Sequence, residues 1–119
     1  LLEALRVATY GRRVLVVASA DLAHVGPAFG DDLPLDSDGR QRLAAADATL
    51  LETVRTGDAD GFFSELREER DRRRVCGLPP IYLMLRYLGR SDGTVVEYAQ
   101  CRADAQGGSI VSIAGVLLD

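Results

Sequence analysis

Asp21 and His24 stand three residues apart at the end of the stretch VLVVASADLAH, just past an apolar run, and His24 is the only histidine in the chain. A single helical turn after a strand would bring both side chains to one face. A carboxylate hydrogen-bonded to one imidazole nitrogen fixes the tautomer and raises the basicity of the other, which suits a general base or a metal ligand. On local sequence alone, Asp21 as a turn cap and His24 as an ordinary satisfied histidine account for the pair more simply. Cys76 is the second candidate, in a Cys-Gly pair ahead of Pro79 and Pro80, which suit the first turn of a helix. The partial positive charge and free N–H groups of a helix start, with Arg72 to Arg74 nearby, would favour a thiolate that can bind metal. Gly77 leaves its approach open. A buried structural cysteine is the commoner fate of such a residue. Cys101, at the end of a predicted strand, is expected to serve only packing.

A structural zinc site takes about four Cys or His ligands and a catalytic one about three from the protein. Asp21, His24 and Cys76 are the most this chain offers, and none forms a CxxC or HExxH pair. A complete site would therefore draw ligands from elsewhere.

The elements that must position these residues follow from patterning. Residues 13–20, rich in Val and without polar alternation, predict a central strand covered on both faces. The acids and small residues after it then collect at a strand's C-terminal end, where ligands bind in open α/β sheets. Leu1 to Thr9 reads as the tail of a helix closed by Gly11, and Val25 to Gly39, dense in Gly, Pro and Asp, as a surface loop. Asp36 to Asp38 can cap a helix near 38–56, whose stripe is Leu43, Ala46, Leu50, Leu51 and Val54. Asp58 or Asp60 can cap another near 59–71 that turns Phe62, Phe63 and Leu66 inward. It runs into REERDRRR, expected to be a solvated, ion-paired face because acids are interleaved with the arginines. Ile81, Met84, Leu85 and Leu88 predict a buried helix near 79–88. Two β-rich runs near 94–101 and 109–118 predict an antiparallel pair. The expected fold is a single α/β unit with a mixed sheet.

With 47% apolar and 27% charged residues the chain has an ordinary globular composition, and no apolar run approaches the ~20 residues of a membrane span. Its net charge of -4 argues against nucleic acid as a partner. Two cysteines without a secretory signal predict a reducing, cytoplasmic setting. The start, LLEALRVATYGRR, has neither an initiator Met nor a leader pattern, so the chain reads as a piece of something longer.

Three blocks carry a resemblance: ASADLAH (Ala18 to His24), VCGLPPIYLML (Val75 to Leu85) and VEYAQCRADAQGGSIVSIAGVLL (Val96 to Leu118). In order and wording they resemble the C-terminal part of the Memo family. That family includes animal cell-motility proteins and the microbial AmmeMemoRadiSam system protein B, and is similar in fold to class III extradiol dioxygenases. The resemblance implies a metal site of two histidines from an N-terminal half and a cysteine, with an aspartate and a third histidine close by. Carried over, Cys76 is the metal ligand, and Asp21 and His24 are the acid/base or supporting pair. The two N-terminal histidines have no counterpart here. Ala20, Ala23 and Val25 depart from the family's wording and leave Asp21 and His24 intact.

The expected function is that of part of a metal-dependent redox or dioxygenase-like enzyme, with iron or copper as cofactor in the full-length protein and held only weakly by this piece. Its alternative is a non-catalytic module that captures a peptide or small molecule in the same cleft. An exposed sheet edge, or the surface left by the missing half, would promote self-association.

Overall fold

The computed structural model describes residues 1–119. Its elements are helix α1 (Leu2–Thr9), strand β1 (His24–Val25), a short 3-10 turn (Pro27–Phe29), helices α2 (Ser37–Arg55), α3 (Ala59–Glu68) and α4 (Leu78–Leu88), and strands β2 (Thr94–Arg102) and β3 (Ile110–Leu117). The two acidic caps expected at helix starts are in place. Asp36 Oδ1 accepts from the Gly39 N–H at 2.7 Å and Asp58 Oδ1 from the Gly61 N–H at 3.1 Å, each satisfying a donor the helix cannot.

Helices α2, α3 and α4 bury Leu50, Leu51, Val54, Phe62, Leu66, Ile81 and Leu85 against one another, together with Leu22 and Val75 from the connecting segments. A smaller cluster of Ala23, Leu43 and Ile110 lies beneath β1. No helix is long and apolar enough to cross a membrane. The sheet has the order β1-β3-β2. The C-terminal antiparallel pair runs as expected, Thr94 opposite Leu117 and Arg102 opposite Ile110, with an irregularity between Val95 and Glu97.

The predicted central strand at 13–20 does not form. The sheet is antiparallel throughout rather than mixed, and no backbone hydrogen bond is made by residues 13–20. Leu15 is 88% exposed and Val17 73%. The cause lies in pairing: apolar side chains favour burial on both faces, but a strand also needs neighbours for its N–H and C=O groups. β3 is already flanked on both sides, by β1 and β2.

Smaller corrections have equally local causes. Helix α3 ends at Glu68 rather than near 71, because Arg70, Asp71 and Arg74 adopt left-handed backbone angles (φ 56°, 50° and 51°). Phe63 is half-exposed against Tyr82, with ring centroids 5.5 Å apart, and Leu88 is also partly exposed, so neither belongs to the core. α1 buries nothing. It is tied to α4 by polar contacts, Arg6 donating to the Arg86 carbonyl at 2.8 Å and Thr9 bonding Tyr87 Oη at 2.6 Å.

Candidate metal centre

The chain leaves the unpaired apolar run at Asp21 and is captured by β3. Leu22 donates to the Ser112 carbonyl at 2.9 Å, Ser112 donates to the Ala23 carbonyl at 3.0 Å, and the buried Ser112 hydroxyl accepts from the Ala23 N–H. His24 then enters β1 opposite Val111. A segment paired with β3, not a helical turn, thus presents the pair, with Asp21 Oδ2 3.8 Å from His24 Nε2.

His24 is fixed on three polar atoms. Its N–H donates to the Arg73 carbonyl at 2.7 Å, its carbonyl accepts from the Arg74 guanidinium at 3.2 Å, and its Nδ1 lies 3.0 Å from the Arg74 carbonyl. A carbonyl only accepts, so Nδ1 carries the proton. In the neutral ring the lone pair is therefore on Nε2, which faces Asp21. The ring edge of Phe29 packs at 88° with centroids 5.2 Å apart and restrains the imidazole plane.

Cys76 reaches the same place through its neighbour. Gly77 donates to the Asp21 carbonyl at 3.1 Å, and Cys76 Sγ lies 3.5 Å from the same oxygen. A Cβ at residue 77 would sit 2.8 Å from the Asp21 carbonyl and 2.7 Å from Ile81 Cδ1. Only glycine permits this approach. One ligand atom each from Asp21, His24 and Cys76 then lies within 4.8 Å of the other two.

Two expectations about the cysteines change. Cys76 and Cys101 are both free and exposed, so neither is a buried packing residue. The start of α4 offers no free donors to a thiolate, because Pro79 and Pro80 have no N–H while Leu78 and Ile81 donate to the Val75 and Gly77 carbonyls.

The turn ahead of Cys76 holds what sequence reasoning passed over. Arg74 Nη2 pairs with Asp31 Oδ1 at 2.7 Å, and Asp31 Oδ2 accepts from the Gly26 N–H at 2.7 Å. The Arg74 hydrogen bond, followed by that of Gly26, holds the Asp31 carboxyl below its ordinary pKa. Arg73, expected on a solvated face, is buried. It bonds Asp47, which is wholly buried in α2, and Glu69, while Tyr98 also donates to Asp47 at 2.8 Å. Burial pushes the Tyr98 hydroxyl up to about 12. The available signal was Asp47 itself, a carboxylate on the apolar stripe one turn from Leu43 and Leu50, where only a paired charge can sit.

A family model described as Memo-like protein matches residues 1–117. The chain belongs to the Memo family. A comparison with curated proteins gives no match. The three Memo-like blocks meet in space. The first brings Asp21 and His24, the second contributes Cys76 and the α4 start, and the third forms β2 and β3, which hold the first in place.

Proposed function

We propose that this chain is the C-terminal part of a Memo-like α/β domain and carries one wall of a metal-dependent redox site, with Cys76 as thiolate ligand and Asp21 and His24 as its acid/base pair. The observation that carries this reading is the convergence of a sulfur, a nitrogen and an oxygen donor within 4.8 Å. The side-chain donors of Asp21 and His24 lie within 4.8 Å of Cys76 Sγ, close enough to act on a group held at the sulfur. Cys76 thiolate, joined by the two histidines that the family resemblance calls for, would be a donor set for iron or copper, which would supply one-electron chemistry when bound.

The chain's own residues handle protons and orientation. With Nδ1 committed to the Arg74 carbonyl, Nε2 is the nitrogen that takes a proton from a substrate and returns it. Asp21, exposed at the rim, would orient the charged ring. Ring cleavage of the extradiol type does not follow, since thiolate replaces one ligand of the usual two-His-one-carboxylate set. The family resemblance calls for two further histidines, and this chain has one in all, so its affinity would be that of a partial site. Two free thiols suit a reducing, cytoplasmic setting.

Metal analysis after loading with copper(I) or iron(II) and desalting tests the reading. Cys76→Ala is expected to lower bound metal at least tenfold with secondary structure unchanged; equal content in wild type and variant overturns it. An apolar trough of about 460 Å³ beside Ala20 and Leu22 favours a second reading, a non-catalytic site for an apolar peptide or small molecule. Ligand capture that survives both chelation and His24→Ala would select it.

A further inference from the structure

We propose that Arg74 is the positioning residue that sets the tautomer and aim of His24. The inference deepens the proposed proton-transfer role of His24 and rests on it. Arg74 is the one residue that touches His24 through both its backbone and its side chain. Its carbonyl accepts from the Nδ1–H at 3.0 Å, and one guanidinium nitrogen donates to the His24 carbonyl at 3.2 Å. The other donates to Asp31 at 2.7 Å, and Asp31 is itself anchored on Gly26, two residues beyond His24. The guanidinium therefore bridges two points of the segment that carries the imidazole. Its planar fork is suited to this, because both donors are held in one geometry.

The backbone explains why a side chain is needed. Arg74 has φ 51°, a left-handed conformation that disfavours any residue with a Cβ, and Arg70 and Asp71 share it. Glycine would adopt that angle freely. Arginine at this position accepts the strained angle, and its two side-chain contacts hold it there, so the carbonyl points at Nδ1. Strain held by surrounding contacts is common where geometry must be exact for function. Sequence patterning had placed Arg74 on a solvated face, and the pairing with Asp31 across 43 positions removes it from that class.

With a single histidine in the chain, the tautomer can be read without ambiguity. Long-range proton–nitrogen correlation on the ¹⁵N-labelled chain, at a pH where the ring is neutral, should show Nδ1 protonated and Nε2 bare in the wild type. Arg74→Gly deletes both guanidinium contacts while relieving the backbone angle, so the chain should stay folded while the ring shifts toward the Nε2–H form, because a glycine without those contacts no longer holds its carbonyl on Nδ1. Arg74→Lys, which can reach only one of the two acceptors, should restore part of the Nδ1–H population. Asp31→Asn keeps an acceptor for Gly26 and removes the charge that anchors the guanidinium, so it should move the tautomer in the same direction. If Arg74→Gly fails to fold, Asp31→Asn decides. A wild-type tautomer in the folded Arg74→Gly chain, or in Asp31→Asn when Arg74→Gly is unfolded, overturns the proposal. Equal metal content in wild type and Cys76→Ala overturns the metal reading and leaves the tautomer result standing by itself.

Discussion

At the scale of single residues, the candidate site depends on groups that are not ligands. His24 has an open Nε2 because Nδ1 is occupied, and Nδ1 is occupied because the Arg74 carbonyl is turned toward it. Asp31 closes the arrangement from the far side. Its carboxyl is held below the ordinary value of 3.8 by the Arg74 guanidinium and then by the Gly26 N–H. A folded pKa below the unfolded one means that Asp31 contributes its stability above the ordinary carboxylate range. That contribution is lost as pH falls through the folded value. Urea unfolding is therefore expected to show wild type losing more stability than Asp31→Asn between neutral pH and about pH 3. Parallel losses in the two proteins would mean that the Arg74–Asp31 pair does not couple folding to pH.

At the scale of elements, Cys76 meets Asp21 because helix α4 starts almost in contact with the chain entering β1. Gly77 is the point of contact, with its N–H on the Asp21 carbonyl and its missing Cβ where that oxygen and Ile81 already sit. Gly77→Ala must push α4 away from Asp21, since backbone cannot yield as a flexible side chain can. The expected cost is about 1–3 kcal/mol of stability by chemical denaturation, typical of overpacking. Loss of metal binding should accompany it even though no ligand is changed. A Gly77→Ala chain with wild-type stability and metal content would show that the close approach is dispensable. The Asp47–Arg73–Glu69 ion pairs and Tyr98 join α2, β2 and the 69–74 turn. The segment that supplies the Arg74 carbonyl is thus anchored to the core as well as to β1.

At the scale of the whole molecule, the chain is longer than it is wide, 51 × 25 × 24 Å, with a radius of gyration of 15.6 Å. A compact domain of this length would have about 13.5 Å. α1 and residues 13–20 leave Val7, Leu15 and Val17 in solvent. An extended apolar segment with unpaired backbone groups is a template for another strand. The chain should therefore self-associate as concentration rises. Lysine at positions 15 and 17 together, Leu15→Lys with Val17→Lys, should return it to a monomer in sedimentation velocity. A wild-type chain that stays monomeric at high concentration would remove this expectation.

The caps at Asp36 and Asp58, the helices they begin and the β2–β3 pair could be read from sequence, because propensity and capping act within a few residues. The Memo-like wording singled out Asp21, His24 and Cys76, and the fold brings their side chains within 4.8 Å of one another. What local pattern could not decide was pairing. The run at 13–20 has the composition of a buried strand but no backbone partner, and strand formation depends on residues distant in sequence. The same is true of Arg73 and Arg74. Their neighbours along the chain are charged and suggest solvent, whereas Asp47 and Asp31, 26 and 43 positions away, draw them inward. Sequence alone determined which side chains could do chemistry. Tertiary structure decided that they converge and which nitrogen of His24 is left open, because both follow from carbonyls and a close helix approach that side-chain patterning does not encode.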